Sequence, residues 1–271
     1  MSGECSLRVG VVGLVVGLTA GGCALLQPPP RLLSSAPVVD DEEPADPSEG
    51  LHLRLMTDRG PVHVFKPRGY DPATAGTLLY VHGYYTDLDG AFRTQHLGTQ
   101  FGNSNVNALF ISPEAPAEYT EPVKWPSLKE LLEMVQESGV KLPKGAVVAM
   151  AHSGGFRTLV PWLKSGLLDT VVLLDGLYGN DDDFRAWVDD AGQHRLVLVG
   201  SDTASRVERF VAGRGNVERA PLPVPPTCGR VGVSSRLVYL RSQVGHMELV
   251  TEGRSIPEVL RLTALPRFDP G

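Results

Sequence analysis

Short runs of consecutive apolar residues, each bounded by turn or helix chemistry, recur through most of the chain. Residues 76–81, 107–111, 147–150, 170–174, 196–199 and 236–240 are such runs, rich in Val and Leu. A strand buried on both faces reads as a continuous apolar run, so these segments predict central strands of a sheet. Between them, 126–139 places Leu128, Leu131, Leu132 and Val135 at helical spacing, and 156–164, 184–190 and 206–211 predict shorter helices. A last helix follows Gly245-His246. Ahead of the first run, 51–56 alternates in the period of a strand, turns at Asp58-Arg59-Gly60, and returns over 62–65 as a hairpin. Strands alternating with helices predict an α/β architecture: a mainly parallel sheet with helices on both faces and an antiparallel edge. A Pro-rich loop is expected from 212 to about 234, and the short stretch between 174 and 196 leaves little or no room for a lid. No internal repeat is visible.

The first fifty residues follow another logic. Arg8 precedes an uncharged apolar stretch over 9–20, and small residues Gly21-Gly22 precede Cys23. A positive flank, an apolar core of this length and small residues before a cleavage point predict a secretory signal over 1–22. Leu18-Thr19-Ala20-Gly21-Gly22-Cys23 resembles a bacterial lipobox, although the Leu stands farther from the cysteine than that motif prefers. The resemblance implies lipid on Cys23 and an envelope protein held on a membrane. The alternative is an uncleaved anchor, but the uncharged stretch barely suffices to span and its glycines weaken it as a helix. Residues 23–50 are rich in Pro, Ser, Asp and Glu and predict a tether, leaving 51–271 as one folded domain.

Composition narrows the function classes. The 271 residues are 42% hydrophobic and 21% charged, with a net charge of -6. No basic stripe exists to follow a phosphate backbone, so no nucleic-acid partner is expected. Of the three cysteines, Cys5 leaves with the signal and Cys23 carries lipid. Only Cys228 remains, so neither a disulfide nor a cysteine zinc site is expected. None of the histidines stands at metal-ligand spacing, and no metal or other cofactor is expected.

The candidate chemistry starts where the run 147–150 ends, in Ala151-His152-Ser153-Gly154-Gly155. A strand stopping at a serine between small residues, with a helix beyond, is the layout of a nucleophile elbow. The turn brings strand and helix backbones together and needs small residues two before and two after the serine. Ala151 replaces the glycine of the usual pattern. A serine N-cap at an ordinary strand–helix junction is the competing reading. A serine hydroxyl needs a positioned base, itself oriented by a carboxylate, and such groups gather at the carboxyl ends of parallel strands. Asp175, Asp202 and His246 each follow a predicted strand in that way.

From residue 51 onward the chain resembles the α/β-hydrolases. The residues that carry the resemblance are His82-Gly83-Tyr84-Tyr85, Ala151-His152-Ser153-Gly154-Gly155, Gly200-Ser201-Asp202 and Gly245-His246, in the order Ser, Asp, His. It implies an eight-stranded-type sheet, Ser153 as nucleophile and His246 as general base. The backbone N–H groups of Tyr84 and Gly154 would form the oxyanion hole. For the acid, Asp202 holds the family's usual position and is preferred; Asp175, one strand earlier, is the alternative. His152 is expected to pack rather than act as base, and His82 to shape the oxyanion loop. Tyr84, Tyr85, Trp125, Tyr178 and the 113–126 loop are the candidates for lining a substrate pocket. The resulting expectation is an envelope serine hydrolase acting on an ester or amide. The alternatives are a non-catalytic envelope lipoprotein using the fold for binding, and an acyltransferase.

Overall fold

A computed structural model describes residues 50–225 and 235–268. The signal and lipobox expectations over 1–22 and Cys23, nearly all of the tether, and Cys228 lie outside the described residues. Among the described residues nine strands form one sheet in the order β1-β2-β4-β3-β5-β6-β7-β9-β8, one strand more than the resemblance implied. In chain order they are β1 (Gly50–Thr57), β2 (Gly60–Pro67), β3 (Gly76–Val81), β4 (Ala108–Pro113), β5 (Val147–His152), β6 (Thr170–Leu174), β7 (Arg195–Gly200), β8 (Val217–Leu222) and β9 (Leu237–Ser242). All pairings from β4 to β8 across the sheet are parallel; β1 with β2 and β2 with β4 are antiparallel. The hairpin closes through Asp58 and Arg59, with Thr57 opposite Gly60 at a φ of 100°. That left-handed backbone suits glycine.

Every residue of β3, β4 and β6 is buried, as their unbroken apolar runs require when helices cover both faces. The helices are α1 (Leu88–Thr94), α2 (Leu97–Asn103), α3 (Leu128–Glu137), α4 (Phe156–Trp162), α5 (Asp181–Asp189), α6 (Ala204–Val211), α7 (Glu248–Thr251) and α8 (Ser255–Leu260). Two apolar clusters result. One packs α3, α4, α5 and α6 on the sheet around Trp125, Trp162, Leu79 and Leu173. The other packs α2, α7 and α8 around Leu78, Met150 and Val172. In α3 the Ser127 hydroxyl accepts from the Glu130 N–H at 3.2 Å, an N-cap that fixes the start of the helix. Its buried face is Leu128, Leu131, Met134 and Val135; Leu132, expected there, is only half-buried.

Two elements differ from the sequence expectation. β8 occupies part of the stretch expected as loop. It is an edge strand, where Pro221 removes no hydrogen bond from a neighbour on the open side. Trp125 is fully buried, with its carbonyl accepting from Trp162 Nε1 at 2.7 Å, so it belongs to the core and not to a pocket. After β6 the chain carries only α5 before β7, too little for a lid. Among the described residues no helix is long and apolar enough to cross a membrane.

Candidate active site

Sheet order decides which loops meet. β3, β5, β6, β7 and β9 are consecutive neighbours and mutually parallel, so the segments leaving their carboxyl ends converge on one edge. Those segments carry His82 to Tyr84, Ser153, Asp175, Ser201 to Thr203, and His246.

Ser153 follows β5 directly and holds a φ of 51°. A non-glycine residue in the left-handed region carries steric strain and lasts only where its surroundings enforce it. The surroundings here are backbone. A Cβ on Gly155 would stand 2.5 Å from the His82 carbonyl oxygen and 2.7 Å from that of Val81. On Gly83 it would stand 2.8 Å from Ser153 Cβ. The turn therefore needs the glycine two residues after the serine, and α4 begins immediately beyond it. The serine is the strained residue of a sharp strand-to-helix turn, not an extended N-cap.

Asp175 is likewise in the left-handed region, with a φ of 46° just past β6, and its side chain is fully buried. Its carboxylate accepts five hydrogen bonds, four from the 201–203 loop and one from His246. Oδ1 accepts from the N–H groups of Ser201 and Thr203, both at 2.8 Å, and from the Thr203 hydroxyl at 2.6 Å. Oδ2 accepts from the Asp202 N–H at 3.0 Å and from His246 Nδ1 at 2.6 Å. Burial alone would raise this carboxyl. The hydrogen bonds from His246, Thr203 and Ser201 outweigh burial and hold it well below the usual carboxylate range. A carboxylate oxygen can only accept, so Nδ1 of His246 carries a proton, and in the neutral ring Nε2 is the acceptor.

The hydrogen bond expected for Asp202 is thus made by Asp175. Asp202 is exposed on the loop after β7, and its contribution to the pair is its backbone N–H. Carboxylate oxygens of both aspartates and a ring nitrogen of His246 lie within 4.8 Å of one another, a spacing compatible with a cation. The five donors already on Asp175 occupy the lone pairs a cation would need, so the cluster reads as an acid–base pair.

His152 ties this pair to the elbow. Its ring packs on that of His246, centroids 4.6 Å apart and planes at 37°, and its Nε2 donates to the His246 carbonyl at 3.2 Å. Burial first, and the neighbouring His246 second, push its pKa down to about 4. It is a neutral packing group at neutral pH, as expected. Ser153 Oγ and His246 make no direct hydrogen bond here. Apo geometries of this kind commonly tighten only around substrate.

On the other side of the serine, His82 is fully buried beneath its loop. Nδ1 donates to the Gly83 carbonyl at 2.7 Å, and Nε2 lies 3.0 Å from buried Glu114 Oε1. The Tyr85 N–H is committed to the Ala117 carbonyl at 2.8 Å. Tyr84 lays its ring on Gly154, whose Cβ, if present, would meet that ring at 2.5 Å. Tyr85, Tyr119, Tyr178 and Met247 are exposed around the same edge, and the Tyr178 ring stands 6.2 Å from that of His246. Thr203, Glu114 and Arg157, the last described below, escaped the sequence reading, since no spacing rule points to them.

No family model matches the sequence, and no curated protein matches it. Solved structures do. A feruloyl esterase module from Clostridium thermocellum, complexed with sinapinate, is 11% identical with a TM-score of 0.54, covering 89% of this chain and 98% of that one. S-formylglutathione hydrolase from Staphylococcus aureus is 15% identical with a TM-score of 0.50, over 78% and 94%. Fluorophosphonate-binding serine hydrolase F of the same organism is 14% identical with a TM-score of 0.51, over 78% and 96%. At such identities the likeness is one of fold. Strand order, helices on both faces and these neighbours agree: the chain has the α/β-hydrolase fold.

Proposed function

We propose that the protein is a serine hydrolase that cleaves a carboxylic ester through an acyl-enzyme. The observation that carries this reading is the Asp175–His246 pair. Five hydrogen bonds lock the carboxylate, the carboxylate locks the His246 tautomer with Nε2 as the ring's remaining nitrogen, and the strained Ser153 follows the neighbouring strand at the same sheet edge. His246 Nε2 takes the Ser153 proton as Oγ attacks the acyl carbon. The N–H groups of Tyr84 and Gly154 hold the developing oxyanion. Collapse passes the proton from His246 to the leaving alcohol, and water then repeats the sequence to free the acid and restore Ser153. General-base assistance of this kind contributes about 10²–10⁴-fold. Each oxyanion donor contributes about 2.7–4 kcal/mol of transition-state stabilisation. Asp175 is the orienting acid in this scheme; Asp202 supports it through its backbone.

An ester rather than an amide is favoured because neighbours of this fold, a feruloyl esterase module and a ferulic acid esterase, are named as esterases. Attachment to a cell envelope through lipid on Cys23 rests on the sequence pattern alone. The test is hydrolysis of p-nitrophenyl esters of increasing acyl length, with matched p-nitroanilides, by the wild type and Ser153→Ala. The proposal expects ester turnover that falls to background in Ser153→Ala. Full activity in that variant, or none on any ester by the folded wild type, refutes it.

A further inference from the structure

Arg157 stands on the first turn of α4, four residues after Ser153, and the triad chemistry above makes no use of it. Its guanidinium bridges two separate segments of the site, the loop of Tyr84 and the loop 118–121. Nη1 donates to the Tyr84 hydroxyl at 3.1 Å and to the Tyr119 carbonyl at 2.6 Å, with the Glu118 carbonyl at 3.5 Å. Nη2 donates to the Glu121 carbonyl at 3.0 Å. The guanidinium carbon also lies 5.1 Å from the centre of the Tyr119 ring, within cation–π range. Its hydrogen-bond partners are backbone carbonyls and a phenol, not carboxylates. A planar fork of five N–H donors meets such a divided set of acceptors, which a lysine ammonium does not.

What the fork holds is the wall around the oxyanion position. The ring of Tyr84 lies on Gly154, so fixing the phenol at its far end fixes both residues whose N–H groups face the oxyanion in the proposed mechanism. The segment 117–121 is tied to the same wall a second time, since its Ala117 carbonyl accepts the Tyr85 N–H at 2.8 Å, and it is braced internally by the Ala117 N–H donating to Glu121 Oε2 at 3.1 Å. We propose that Arg157 is a positioning residue: it clamps Tyr84 onto Gly154 and the 118–121 loop onto Tyr84, pre-setting the oxyanion hole before substrate arrives. The inference rests on the hydrolase reading. Its energetic logic is that donors act fully only when they are already aimed at the place where charge develops, and a shift of about 1 Å in such a group costs on the order of 10²-fold in rate.

The test compares kcat and KM for p-nitrophenyl acetate in the full-length wild type, Arg157→Ala, Arg157→Lys and Tyr84→Phe, with folding checked by circular dichroism. Arg157→Ala is expected to lose about 10–100-fold in kcat with little change in KM. Arg157→Lys is expected to recover only a small part, and millimolar methylguanidinium to restore much of the Arg157→Ala rate while leaving the wild type unchanged. Tyr84→Phe keeps the ring on Gly154 but loses the anchor, so a smaller kcat loss is expected. If Arg157→Ala does not fold, Tyr84→Phe decides: an unchanged kcat overturns the clamp. A folded Arg157→Ala variant with wild-type kcat, or with a defect in KM only and no rescue, also overturns it. A wild type with no esterase activity overturns the hydrolase reading and the clamp together, whereas an active wild type with an indifferent Arg157 overturns the clamp alone.

Discussion

Replacing Asp175 by Asn separates the two candidate acids and tests the chemistry of their environment. The substitution preserves shape but turns one acceptor oxygen into a donor NH2. Oδ1 of Asp175 faces three donors and Oδ2 faces two. An asparagine therefore loses least by keeping its carbonyl toward Ser201 and Thr203 and turning its NH2 toward His246 and Asp202. Facing a donor, His246 moves its proton to Nε2 so that Nδ1 can accept, and the nitrogen that should take the Ser153 proton is then already protonated. The same change in a serine-protease triad costs about 10⁴ in kcat, or about 5 kcal/mol of barrier. Asp175→Asn is accordingly expected to lose about 10³–10⁴-fold in kcat on p-nitrophenyl esters. It should also lose stability, because the NH2 abuts the Asp202 N–H; unsatisfied pairs of this kind cost about 1–3 kcal/mol. Asp202→Asn keeps the backbone N–H that Asp175 uses and is expected to stay within about threefold of wild type, as surface changes away from such networks do. The assay is initial-rate kinetics on both variants, with urea unfolding to confirm folding. Collapse of Asp202→Asn with survival of Asp175→Asn would refute the argument, and so would survival of both.

Three further outcomes follow from other parts of the molecule. Gly83→Ala sets a Cβ 2.8 Å from that of Ser153, and a displacement of that order should cost roughly 10²-fold in kcat/KM while the fold survives, as read from kinetics beside a melting curve. His152 is buried and neutral, with its pKa down at about 4. Below about 6.5 the unfolded state binds a proton that the folded state refuses. Its contribution is therefore fully present above that pH and is lost as pH falls toward 4, up to about 3 kcal/mol. Urea midpoints at pH 7 and pH 4.5 should fall further apart in the wild type than in His152→Gln; equal separations would contradict the assignment. Cys23→Ser should release the full-length protein from membranes in a fractionation, and unchanged retention would exclude lipidation at that residue.

The central strands and the elbow were legible because burial on both faces writes itself as unbroken apolar runs, and the elbow's glycine requirement survives in Gly155. Chain order also named the right histidine to pair with an aspartate. It did not name the aspartate. Asp175 and Asp202 both end a strand, and what separates them is a φ of 46° at Asp175 and a loop, 201–203, that wraps its donors around the buried carboxylate. Neither is a periodicity. The helices α1 and α2 were passed over because Gly90, Gly98 and Gly102 depress their helix propensity, and the Asp87 cap and packing on the sheet override it. β8 is hidden in the sequence because Glu218, Arg219 and Pro221 break its apolar pattern, although Ala220 and Leu222 are buried in the core. Trp125 looked like a pocket residue only because aromatic side chains serve cores and pockets alike.

The account stands or falls on Ser153. Full-length protein treated with a fluorophosphonate and digested should give a single adduct on the peptide containing Ser153, absent from Ser153→Ala and formed much more slowly by Asp175→Asn. Folded wild-type protein that takes no label, or an adduct that maps elsewhere and persists in Ser153→Ala, contradicts it.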